Sequence, residues 1–382
     1  MTHTTRPARL YLDNGGRAPW HPRAREAFLQ ALDDGWADPR RLHAEGRRAR
    51  VLLDGAREAL AAGLGARTEE VHLTGSHTAS LHTAVAALAA GRRRVGRRVV
   101  VGAVERAAVL AAAEHGDLER EVVPVDRTGR VDAAAMVAAG TGPGTALVAL
   151  QLANGEVGTL QPVDTVHAGL RDTGTPLLVD AGAAVGHVPV PGAWDAIAAD
   201  PGDWGAAPGV GVLAIRSRAR RRSPYPEDAD PFAPGGVSVP AAFSAAVGLQ
   251  AVLADAAAQA ARRRALVDRI RSRVALLPDV EVVGDPDDRL PHVVTFSFLY
   301  VDGEALLTEL DRDGIAVGSG SACTSSTLEP SHVLAAMGAL TQGNVRVALD
   351  RATTSDDVDR LLAVLPGAVA RVRAALGVDL GP

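Results

Sequence analysis

Two aspartates stand where a strand-and-turn pattern would aim side chains into a crevice. Leu177-Leu178-Val179-Asp180 reads as a buried strand ending on a carboxylate. Asp203 closes a short turn, residues 195–203, that leads into a glycine-spaced strand over 209–215. In open α/β sheets the ligand crevice lies beyond the carboxyl ends of the strands, so Asp180 and Asp203 are placed to face it. Asp200 stands beside Asp203, and two neighbouring carboxylates can raise each other's pKa and work as acid and base. The same pair can equally be a polar lining that holds arginines. Cys323, the single cysteine, lies in Ser319-Gly320-Ser321-Ala322-Cys323-Thr324-Ser325. Small polar neighbours suit an accessible thiol better than a buried structural one, which leaves nucleophile and bystander both open. His72, His77 and His82 recur five apart, a spacing that does not share one helix face, so no metal site is expected from them.

One absence bears on all of this chemistry. The sequence has 40 basic residues, and every one is arginine. Arginine cannot be deprotonated to act as an amine nucleophile. No side chain of this protein is therefore an amine that could form an imine with an aldehyde.

The elements that must position these residues follow an alternating pattern. Strands are predicted at 71–74, 98–101, 121–125, 146–150 and 177–180, with helices at 79–90, 107–115, 132–139 and 163–173. Repeated βα units of this length imply a mostly parallel sheet with helices on both faces. Earlier, helices are expected at 22–33 and 46–63. A long helical stretch, 240–277, precedes strands at 280–283, 292–300, 315–318 and 344–349 and helices at 303–313, 331–337 and 356–376. That order predicts a smaller α+β domain with a partly antiparallel sheet. The expected division is 14–245 for the large α/β domain, with 1–13 and 246–382 forming the small one that carries the Cys323 loop.

Length and composition bound the function. With 382 residues the chain can build two cores, and an aromatic share of only 3% leaves the packing to Ala, Val and Leu. The net charge of −5 argues against general nucleic-acid binding. The arginines of 218–222 sit in a proline-rich stretch and read as a solvated loop. No apolar run is long enough to span a bilayer. The first residues carry no signal-like apolar region, so a soluble, cytoplasmic protein is expected.

The chain resembles the cysteine desulfurases of the class V aminotransferase group. The matching segments are Tyr11-Leu12-Asp13, Leu73-Thr74-Gly75-Ser76-His77-Thr78, Asn154-Gly155-Glu156-Val157-Gly158, Val179-Asp180-Ala181, the Cys323 segment with Leu328-Glu329-Pro330-Ser331-His332, and Val345-Arg346-Val347-Ala348. The resemblance implies the fold type I architecture of pyridoxal-phosphate (PLP) enzymes, with a seven-stranded large-domain sheet, and a homodimer. It implies that Asp180 is the partner of the cofactor's pyridine nitrogen and that Thr78 and His77 mark its phosphate and ring sites. Arg346 would grip the substrate carboxylate, with Asn154 and Asp200 also lining the substrate site. Cys323 would be the persulfide-forming nucleophile.

The departures from the family cluster in one place. The Schiff-base lysine falls on Asp203, the phosphate-binding serine and histidine on Asp200 and Gly202, and the ring-stacking histidine on Arg106. The expectation is a protein without cofactor, a degenerate homologue working in sulfur relay through a persulfide on Cys323 or as partner of an active enzyme. The alternative is an enzyme of PLP-independent chemistry on a small anionic or amino-acid substrate, using Cys323, Asp203 and Asp180 with Arg106 and Arg346.

Overall fold

A computed structural model describes residues 9–15, 17–225, 230–320 and 330–377. The chain opens with β1 (Leu10–Tyr11), α1 (Pro22–Asp34) and α2 (Ala44–Leu64). The alternating region then supplies β2 (Val71–Thr74), α3 (His77–Gly91), β3 (Arg98–Gly102), α4 (Ala107–Ala112), β4 (Glu119–Val123), α5 (Ala133–Thr141), β5 (Thr145–Gln151), α6 (Val163–Leu170), β6 (Leu177–Asp180), β7 (Ala196–Ala199) and β8 (Gly211–Ile215). These strands form a seven-stranded sheet in the order β2-β8-β7-β6-β5-β3-β4. All pairings are parallel except those of β8 with β2 and β7. The α/β expectation therefore holds.

The sheet is buried on both faces, as parallel sheets are, and the period of two sorts its side chains. Val100, Val148, Leu150, Leu177, Val179 and Ile197 pack toward α1, α2, α5, α6 and α7 (Val239–Leu253). Their neighbours Val99, Val101, Leu147, Ala149, Leu178 and Ala196 pack toward α3 and α4. The segment 195–203, expected to be a turn, contains β7 instead. Ala196-Ile197-Ala198-Ala199 is wholly buried between β6 and β8, and a strand covered on both sides shows no alternation to read.

The helical stretch after residue 238 is two helices, α7 and α8 (Ala256–Val274), which meet at a bend of 71°. No single described helix is long and apolar enough to cross a membrane. A second sheet, ordered β12-β10-β9, is antiparallel and joins β9 (Val280–Val283), β10 (Val293–Phe298) and β12 (Asn344–Ala348). Helices α9 (Gly303–Arg312), α10 (His332–Met337) and α11 (Ser355–Ala375) complete this half, and β11 (Ile315–Ala316) pairs in parallel with β1. Leu12, Phe296, Phe298, Val345, Leu361 and Leu365 form its core.

Candidate functional site

The crevice lies at the carboxyl end of β6, and its centre is an ion-paired aspartate. Asp180 is the last residue of β6 and is buried. One carboxylate oxygen, Oδ1, accepts from His77 Nε2 at 2.8 Å and from the Gly182 N–H at 2.9 Å. The other, Oδ2, accepts from Arg106 Nε at 3.0 Å. Burial alone would raise the Asp180 pKa. The Arg106 guanidinium, with His77 and the Gly182 N–H, outweighs it and holds the carboxyl well below the usual range. The Arg106 pKa is raised in turn, first by Asp180.

His77 reaches Asp180 because α3 starts there. Ser76 caps the helix, its Oγ accepting from the Ala79 N–H. The first residue of β8 is Gly211, where a Cβ would meet the Ser76 carbonyl oxygen at 2.2 Å. Only glycine lets β8 lie against the α3 N-terminus this closely. Thr78, expected at a phosphate site, is exposed on α3 and is not drawn into the Asp180 cluster.

The remaining expected residues fall in three places. Asp200 caps the turn Pro201–Trp204, accepting from the Gly202 N–H at 2.9 Å. Asp203, inside that turn, is buried and lies 2.9 Å from His187 through its Oδ2. Asn154 is spent on backbone: its side chain donates to the Val104 carbonyl and accepts from the N–H groups of Glu156 and Val157. Arg346, in the middle of β12, donates to Asp13 Oδ1 at 2.7 Å, while its Nε finds no partner among the described residues.

Cys323 lies outside the described residues, but both flanks of its segment are held by side chains, Asn344 of β12 on one side and Glu156 on the other. Ser319 Oγ donates to Asn344 Oδ1 at 2.6 Å, and the Gly320 N–H donates to the same atom at 3.0 Å. On the far side Ser331 Oγ donates to Glu156 Oε1 at 2.7 Å and caps α10. Gly318 and Arg346 exchange both backbone hydrogen bonds. The flank preceding the segment is thus anchored beside the arginine expected to bind a carboxylate.

Three buried groups had no signal in the sequence. Glu105, fully buried, accepts from the Gln151 N–H at 3.0 Å, and burial pushes its pKa well above the usual carboxyl value. His187, just past β6, and His292, just before β10, stack with ring centroids 3.9 Å apart. Neither histidine has a spacing to Asp203 that a linear motif could reveal.

Comparison with known proteins places this geometry. Residues 10–361 match the family model described as aminotransferase class-V. A cysteine desulfurase of Cereibacter sphaeroides is 36% identical over 387 residues, covering 96% of this chain and 97% of that one. An IscS-like cysteine desulfurase of Mycobacterium tuberculosis is 36% identical with the same coverage. Among solved structures, a NifS-like protein superposes with a TM-score of 0.86 at 24% identity, over 95% of this chain and 100% of that one. DndA from Streptomyces lividans gives 0.74 at 28% identity, over 86% and 96%.

The expectation of a protein without cofactor is corrected by these matches. The family matched over residues 10–361, with cysteine desulfurases as relatives, is the one for which the sequence implies PLP. A lysine fixes the cofactor's aldehyde covalently. Holding its ring and phosphate is a separate matter, so one absence does not entail the other. In the conformation described here both Asp180 oxygens are engaged, by His77, the Gly182 N–H and Arg106, so a pyridine nitrogen would have to displace one of these partners to reach the carboxylate. What the sheet order, the Asp180 crevice and the match along nearly the whole chain establish together is that this protein belongs to the class V aminotransferase family, with cysteine desulfurases as its relatives.

Proposed function

We propose that this chain carries sulfur, accepting it as a persulfide on Cys323 from a donor protein and passing it on. The observation that carries this reading is the tethering of both flanks of the Cys323 segment, through Asn344 and Glu156, next to Arg346 of β12, in a chain with no side-chain amine. The Cys323 thiolate attacks the terminal sulfur of the donor's persulfide. A new S–S bond forms, the donor's own S–S bond breaks, and the donor leaves as a thiolate. The sulfane sulfur changes hands with no net oxidation, so no further reactant is required. Asp203, in the place the resemblance gives to the lysine, belongs on this reading to a remodelled pocket rather than to the transfer. A homodimer is the assembly this reading carries. Trp36 and Leu42, exposed between α1 and α2, and Val51 on α2 support it as apolar surface for a second copy.

The test uses the intact protein incubated with an active cysteine desulfurase and cysteine, then weighed whole. Wild type should gain the mass of one sulfur atom, removable by dithiothreitol, and Cys323→Ser should gain none. A gain that survives Cys323→Ser, or no gain in wild type, refutes the relay.

A further inference from the structure

We propose that His187, Asp203 and His292 form a binding site for one divalent transition-metal ion. This goes beyond the sulfur-transfer reading and does not depend on it. His187 follows β6, Asp203 sits in the turn after β7, and His292 precedes β10, so the three come together from both sheets. All three are buried, with 5%, 8% and 1% of their surface exposed. One candidate ligand atom from each lies within 4.8 Å of the other two.

The polar atoms are left without partners. Among the described residues, both ring nitrogens of His187, Asp203 Oδ2 and His292 Nδ1 make no hydrogen bond. A buried polar atom left in this state costs about 1–3 kcal/mol, and native structures rarely collect several at one spot. His187 Nε2 and Asp203 Oδ2 approach to 2.9 Å, yet the contact lacks hydrogen-bond geometry. The His187 and His292 rings stack at a tilt of 28°.

Two nitrogens and one carboxylate oxygen suit zinc, cobalt(II) or iron(II) better than calcium or magnesium. Tetrahedral bonds of ~2.0–2.1 Å set ligand atoms about 3.4 Å apart. The 2.9 Å His187–Asp203 contact would therefore open slightly on binding. Three protein ligands leave the fourth position free. Arg263 is fully buried, interacts electrostatically with Asp203, and has both terminal nitrogens unpartnered among the described residues. A dication with one carboxylate beside that guanidinium calls for an anionic fourth ligand.

The test uses the full chain, stripped with EDTA and dialysed against cobalt(II) or zinc(II), with metal content and the visible cobalt spectrum as readouts. One equivalent per chain and the intense bands of four-coordinate cobalt are expected. Asp203→Asn and His292→Gln should each weaken binding about tenfold or more, since even outer-shell losses cost that much. His72→Gln, which alters a histidine stacked on Phe232 instead, should bind as wild type does. Substoichiometric metal in wild type, weak six-coordinate bands, or binding unchanged in both ligand variants would overturn the site. If the ligand variants do not fold, the wild-type spectrum and stoichiometry decide alone.

Discussion

Replacing Asp180 by asparagine keeps its shape and removes its charge, which isolates the electrostatics of the crevice. The carboxylate accepts three hydrogen bonds at 2.8, 2.9 and 3.0 Å, two of them from ionisable partners. In the variant the Gly182 N–H can still donate to the amide oxygen. With the amide oxygen held at the Oδ1 position, the amide nitrogen takes the Oδ2 position and faces the Arg106 donor, while the bond to His77 loses its charge. One charge-assisted bond to a buried partner is worth about 1.5–3 kcal/mol. Arg106 is 41% exposed, so solvent screens its share and it adds about 1 kcal/mol at most. The sum is ~3 kcal/mol near neutral pH, at the lower edge of what breaking a buried pair costs. The pH dependence follows from the sign of the shift. The folded pKa lies below the unfolded value, so the stabilisation is present in full well above about pH 4 and is lost as the pH falls below it. Urea unfolding at pH 7, 5 and 3 should show the gap between wild type and Asp180→Asn steady over the first two and narrower at pH 3. A gap under about 1 kcal/mol at pH 7, or one that persists undiminished at pH 3, refutes the reasoning.

Glu105 titrates in the opposite sense. Its folded pKa is raised by burial, so Glu105→Gln should match wild type near pH 4 and exceed it in unfolding midpoint at pH 8, where wild type must hold a proton or bury a charge; equal midpoints at pH 8 would count against a buried neutral acid. Asp203→Lys restores an amine where the resemblance places one. Treatment with PLP and borohydride should then label residue 203 in a peptide map, and labelling absent from that residue means that the family's lysine position lies elsewhere.

Much of the architecture was legible because βα alternation leaves a strong pattern, and β6 ending on Asp180 was read directly from a leucine-valine run closed by a carboxylate. β7 was hidden by its own burial, since Ala-Ile-Ala-Ala has no polar side to alternate with. Asp180 is legible because it ends a strand, and Asp203 because it stands where the resemblance places a lysine. His187 and His292 are not, because only the fold brings them to Asp203: His187 from the loop after β6, His292 through the approach of the second sheet. Asn154 holds a turn and Thr78 is exposed in the first turn of α3. The expected absence of a cofactor rested on the missing lysine together with the carboxylates of Asp200 and Asp203 at the phosphate position, and it is the family match that overturns it.

The pairing of Leu10 with Ile315 ties the order of synthesis to the order of folding. During translation the first strand emerges early and waits, its edge unsatisfied, until some three hundred further residues have left the ribosome. The large sheet can assemble meanwhile from neighbours in sequence, but the floor beneath Asp13 and Arg346 cannot close until that late partner arrives. A growing chain therefore acquires its scaffold well before it acquires a finished pocket.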